Sequence, residues 1–138
     1  MMDIGRLAAA LQGTFWTVTG VWPILHLGSF EAVTGPKTDD WLVRVTGLLI
    51  AVVGVVLLWA ALRPPIGRDT VRLGLISAAA LGLADVVIVA TGAVGPVYLL
   101  DVPVEAFFVG LWSAHLVRSR SARDGRGLEG GDDGVSDL

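Results

Sequence analysis

Four stretches of the chain are apolar over close to the length a membrane-crossing helix requires: residues 7–27, 41–62, 71–92 and 99–117. A hydrocarbon core of about 30 Å takes roughly 20 helical residues, and segments rich in turn formers separate the four runs. The second, WLVRVTGLLIAVVGVVLLWAAL, and the third, VRLGLISAAALGLADVVIVATG, are the most uniformly apolar. The first contains Gln12, Thr14, Thr17, Thr19 and Pro23. Lipid tolerates such a helix when neighbours shield it, so this one is expected inside the assembly. The predicted fold is all-α, an integral membrane four-helix bundle with antiparallel up-down topology.

Turn chemistry supplies the connectors. Residues 28–40 hold a Gly35-Pro36 break, with Thr38, Asp39 or Asp40 available to cap the helix that starts near Trp41. RPPIGRDT (63–70) stops the second span with two prolines and offers Asp69 or Thr70 as the next cap. GAVGPVYLL (92–100) is apolar but broken by two glycines and a proline, which suits a segment dipping into the interface. Asp101, two residues before Pro103, reads as the cap of a short fourth span. From 118 to 138 the chain lacks the apolar surface to offset the entropy of ordering, and a disordered cytoplasmic tail is expected there. The first residues, MMDIGRLAAALQGTFW, carry Asp3 beside Arg6 and interrupt the apolar run with Gln12 and Thr14, so they read as a retained span rather than a signal peptide.

Orientation follows from the cations. Arg6, Arg63, Arg68, Arg72, Arg118, Arg120, Arg123 and Arg126 fall on one side, against Lys37 and Arg44 on the other. The positive-inside rule then places both termini in the cytoplasm. Trp22, Trp41 and Tyr98 come to the outer interface and Trp59 to the inner one. Composition agrees: 54% of the 138 residues are apolar, 17% are charged, and mean hydropathy is +0.71. A formal charge of −3 with no basic surface sets nucleic-acid binding aside. The absence of cysteine closes off thiol redox chemistry, thiolate metal sites and a thiol nucleophile.

Candidate chemistry emerges from the helix faces, because positions three, four and seven apart lie together. One face of the first span carries Gln12, Thr19 and His26. The second carries Arg44, Gly47, Ala51, Gly54 and Leu58; the third Gly74, Ala78, Gly82 and Asp85; the fourth Asp101, Glu105, Phe108, Trp112 and His115. Small residues at such spacings let helices approach closely in lipid. Asp85 lies about 10 Å below the outer end of its span, at 1.5 Å per residue. A polar ligand-binding pocket opening to the outer leaflet is therefore predicted from His26, Arg44, Asp85 and Glu105, closed by the 28–40 loop with Glu31 and Lys37. Each ionisable group within a span costs at least about 2.5 kcal/mol on insertion scales, which argues for a use.

Plainer readings stand beside this one. Arg44 with Asp85 and Glu105 can be an internal ion-pair network that sets helix register. His26 can be an interfacial hydrogen-bonding residue, and with His26, Glu31, Asp85 and Glu105 as the available ligands no recognisable metal spacing exists, so no metal or cofactor is expected. Asp101 reads as a cap, His115 as a cation at a helix C-terminus, and Trp16, Phe107, Phe108 and Trp112 as packing. No phosphate loop, zinc-protease motif, nucleophile elbow or dinucleotide fingerprint is present.

In size, span layout, lack of cysteine and topology, residues 7–117 resemble the small bacterial four-helix membrane proteins of DoxX-like type. HLGSFEAVTGPKTDDWLV (26–43) reads like a signature of uncharacterised bacterial membrane proteins. The resemblance implies a multi-pass protein of the bacterial cytoplasmic (inner) membrane, and carries over no activity and no individual residue. Small multidrug transporters are less similar, since their essential carboxylate sits in the first span. Sterol isomerases resemble the chain in their paired buried acids, without the aromatic cage. The expected function is binding of a small cationic or amphipathic ligand, in a binding or transport-accessory role. The alternatives are a lipid-active enzyme using the carboxylate pair, which lacks a visible nucleophile, and a structural or assembly protein. Partners expected are the bilayer and a small-molecule or lipid ligand, and the glycine seams also allow a homo-oligomer.

Overall fold

The computed structural model describes residues 3–129, with side chains through Arg123. Helix α1 spans Ile4–Leu25, α2 Leu27–Thr34, α3 Asp40–Ala61, α4 Arg68–Ala90 and α5 Asp101–Glu129, with a 3-10 helix over Pro96–Leu100 leading into α5. No strand occurs among the described residues. Three helical segments are long and apolar enough to cross a membrane: Asp40–Ala61, Arg68–Ala90 and Pro96–Arg123. Helix α1 is not one of these three, for the reason visible in its sequence, the polar residues between Gln12 and Thr19.

α1 is instead the most enclosed of the long helices. Gly5, Ala8, Ala9, Gln12, Gly13, Trp16, Gly20 and Pro23 are all buried, as expected for a helix whose polar groups need cover. Its hydroxyls turn back on its own backbone: Thr14 donates to the Ala10 carbonyl at 2.7 Å, Thr17 to Gly13 at 2.6 Å and Thr19 to Phe15 at 2.8 Å. Each hydroxyl is thereby satisfied without a neighbouring helix.

One side of α1 meets α3 backbone to backbone. A Cβ placed on Gly13 would lie 2.8 Å from the Gly54 carbonyl oxygen, and one on Gly20 would collide with the Gly47 carbonyl and the Ala51 backbone nitrogen. As the residue number rises along α1 it falls along α3, so the two helices are antiparallel. The expected Gly47, Ala51 and Gly54 seam is this interface. α4 and α5 form the second close antiparallel pair, with Gly74 against the Trp112 ring and Gly82 against Glu105. α1 joins the pairs through Trp16, Ala78 and Phe108, and through Ala8, Ala9, Leu57, Val71 and Trp112. α3 and α4 hardly touch. Between them an apolar cleft of about 340 Å³ opens sideways, lined by Ile50, Val53, Ala80, Leu81 and Ala84 and reaching Trp16.

Several boundaries depart from the sequence reading. The 28–40 connector contains α2, where a loop was expected. Gly67, not Asp69 or Thr70, is the N-cap of α4, while Asp39 takes the N-cap position of α3. α5 does not end near 117 but continues to Glu129, so the expected disordered tail begins inside a helix; residues 130–138 lie outside the described residues. Loss of apolar character marks where a helix leaves hydrocarbon, not where it stops.

Gly20→Val should destabilise the protein by at least about 1–3 kcal/mol, since both neighbours of the new side chain are backbone that cannot yield. Gly28→Ala, with nothing within 4 Å, should change stability by less than about 0.5 kcal/mol. Thermal and denaturant unfolding in neutral detergent measure both.

Candidate functional site

α5 places Asp101 and Glu105 four residues apart on one face, and α4 turns Asp85 toward them. Gly82, one turn before Asp85 on α4, packs against the Glu105 side chain, and Asp101 stands one turn before Glu105 on α5. Asp85 is 7% exposed and Glu105 only 1%. The close approach depends on Gly82, where an added Cβ would sit 3.1 Å from that of Glu105. Trp16 donates its indole N–H to Oε1 of Glu105 at 2.8 Å. Oε2 of Glu105 and Oδ2 of Asp85 are buried and have no hydrogen-bond partner among the described residues.

Beneath the acids lies an apolar layer of Trp16, Ala78 and Phe108, with Phe15 packed against Phe108 at 5.9 Å. One step further comes a polar layer. Trp112 donates its N–H to the Gln12 side-chain oxygen at 2.7 Å, and the Gln12 amide nitrogen donates to the Gly74 carbonyl at 3.1 Å. Gln12 is wholly buried and both ends of its amide are used, as a polar group out of water requires.

The structure brings together two of the five ligand-binding residues read from the sequence. His26, Arg44 and Glu31 make no hydrogen bond or ion pair with Asp85 or Glu105. His26 is exposed and caps α2, its Nδ1 accepting from the Ser29 backbone N–H at 3.1 Å. Arg44 is exposed on α3, so the internal ion-pair network does not form. Glu31 accepts from the Lys37 backbone N–H at 3.0 Å, and Lys37 donates to the Thr34 and Gly35 carbonyls while its ammonium sits 5.0 Å above the Tyr98 ring. These contacts hold the α2–α3 connector against the 3-10 helix. Neither this connector nor the α3–α4 cleft forms an open chamber around the acids.

Asp101 is also different from its reading as a cap. Its dihedrals are helical, φ −75° and ψ −26°, because the 3-10 helix runs directly into α5. It joins the acid group instead. Trp16 and Trp112, taken as packing residues, each donate a buried hydrogen bond. The available signal was the general one that a buried indole N–H finds an acceptor, together with the spacing that puts Trp16 one turn from Gln12. His115 does not stand at a helix C-terminus; it lies within α5 and faces Asp3 at 3.5 Å.

Chemically, the cluster is three acids with no base beside them among the described residues. Among the described residues no group of three His, Cys, Asp or Glu is arranged to hold a metal ion. Such a cluster needs a counter-charge, which a bound cation or protons can supply. The chain is thus an all-helical, multi-pass membrane protein with a buried acidic group between α4 and α5. Compared with known proteins, it matches no family model, no curated protein and no solved structure.

Trp16→Phe should cost about 1–3 kcal/mol by leaving Oε1 of Glu105 without its donor, and Glu105→Leu in that background should recover part of the loss. Arg44→Gln should change stability by less than about 0.5 kcal/mol. A collapse of the Arg44→Gln variant on thermal unfolding would show that Arg44 holds the acids after all.

Proposed function

We propose that this protein binds a small cationic group at Asp85, Asp101 and Glu105, in a binding or transport-accessory role for a cationic or amphipathic molecule. The observation that carries this reading is the pair of buried carboxylate oxygens, Oδ2 of Asp85 and Oε2 of Glu105, that no donor among the described residues satisfies. A native structure rarely leaves such atoms without a reason. The close packing of Gly82 on Glu105 favours a compact group, such as a primary ammonium, over a bulky aromatic cation.

We count α1 as a fourth crossing. It runs antiparallel to α3 from the Gly13–Gly54 contact to the Gly20–Gly47 contact, and its polar groups are enclosed. With the arginine bias at the other end of the molecule, this gives an up-down bundle with both termini cytoplasmic, in the inner membrane of a bacterium, and the acids toward the outer leaflet.

The test is ligand-dependent thermal stability of the purified protein, using primary alkylammonium ions and the alcohols of matching size. Wild type should be stabilised by the ammonium ions alone, by about 2.7 kcal/mol at a hundred times Kd. Asp85→Asn and Glu105→Gln should fold and lose that response. If the alcohols act equally, or both variants respond as wild type does, cation binding at this cluster is wrong.

A further inference from the structure

A second cavity, of about 570 Å³, lies at the opposite end of the helices. Its walls are Asp3 and Arg6 from the start of α1, Pro64 to Ile66 in the α3–α4 link, and His115 and Ser119 from α5. Each polar group there has a definable state. The Asp3 carboxylate accepts from the Gly5 backbone N–H at 3.2 Å, capping α1, and faces Nδ1 of His115 at 3.5 Å. Ser119 donates back to the His115 carbonyl at 2.8 Å. Arg6 is anchored through Nε to the Ala61 carbonyl at 3.0 Å. That bond leaves the two terminal guanidinium nitrogens of Arg6 with no hydrogen bond among the described residues, beside the cavity.

The surroundings match that guanidinium. Antiparallel packing gathers Arg63, Arg68, Arg118, Arg120 and Arg123 at the same end, while Arg72 is paired with Asp69 at 3.3 Å. Arg63 stacks over the Trp59 ring at 4.4 Å, an interfacial arrangement. α3 has ended at Ala61 and α4 has not begun, so the cavity sits at the level where helices leave hydrocarbon and headgroups begin. A planar guanidinium held by one nitrogen presents the other two as a fork that fits phosphate oxygens.

We propose that this cavity binds the phosphate of an anionic phospholipid headgroup, with Arg6 as the contacting residue and the surrounding arginines supplying attraction. Basic pockets between membrane helices are general sites for such headgroups. Asp3 leaves the fork open, because its carboxylate accepts from the Gly5 N–H, lies against His115 and makes no ion pair with Arg6 among the described residues. The proposal is independent of the acid cluster at the other end.

The experiment uses the full-length protein in neutral-detergent micelles, with phosphatidylglycerol, phosphatidylcholine or inorganic phosphate added, and reads the thermal unfolding midpoint. Phosphatidylglycerol should raise the midpoint and the other two should not. Arg6→Gln should need roughly fivefold more phosphatidylglycerol for half the effect. Ser119→Trp keeps Arg6 and its anchor but fills the cavity, and should lose the response, which keeps the test decisive if Arg6→Gln folds poorly. Equal stabilisation by phosphatidylcholine overturns the proposal, as does an unchanged response in Ser119→Trp. A match by inorganic phosphate overturns the assignment to a lipid.

Discussion

The amide of Gln12 ties three helices together at one point, and the rest of the arrangement follows from its need for partners. A wholly buried carboxamide has a donor end and an acceptor end, and in an apolar interior each must be satisfied by protein. Here α4 supplies the acceptor, the Gly74 carbonyl, and α5 supplies the donor, the Trp112 indole. Both partners require Gly74 to lack a side chain, because the Trp112 ring occupies the space a Cβ would fill. With α1 held in that register, Trp16 comes one turn further along and its indole meets Glu105. The position of the acids therefore depends on a neutral amide that belongs to a different helix.

Two kinds of adhesion divide the molecule. α1 and α3 associate through missing side chains, glycine against glycine, so that dispersion between backbones holds them. α1, α4 and α5 associate through a few directed hydrogen bonds set among aromatic rings. The first kind is continuous and tolerates no added methyl group; the second is local and fixes register. Because α1 takes part in both, α3 and α4 have no need to meet, and the cleft between them is the consequence.

The same distinction explains what could be read in the sequence. Glycine and alanine at three- and four-residue spacing advertise a close interface, and the Gly47–Ala51–Gly54 and Gly74–Ala78–Gly82 seams were legible for that reason. So was the meeting of Asp85 with Glu105, since each lies on the seam of its helix. His26 and Arg44 were misplaced because depth along a span does not say which way a polar side chain near a helix end will lean, and long ones reach outward to water. Asp101 was misread because a capping rule assumes an extended residue before the helix, and the 3-10 turn at Pro96–Leu100 removes it. The indoles of Trp16 and Trp112 were hidden for another reason. A tryptophan on a buried seam looks apolar in any periodicity argument, and only the partner's position shows that its N–H is in use.

The layering also bears on what the acids can do. Between Glu105 and the basic end stand first Trp16, Phe108 and Ala78, then the closed Gln12–Trp112–Gly74 group. In these layers an indole nitrogen donates and does not accept, the Gln12 amide is engaged at both ends, and the Ser77 hydroxyl beside them donates to the Leu73 and Gly74 carbonyls. Among the described side chains, no unbroken run of hydrogen bonds joins Asp85 or Glu105 to Asp3 and His115. Helix position connects the two ends. Trp112 is placed for this, bonded to Gln12 on one side and packed edge-on against His115, 6.4 Å between ring centres, on the other. A displacement of α5 that broke the Glu105–Trp16 bond would have to carry Trp112 with it, because both residues stand on the same rigid face of one helix.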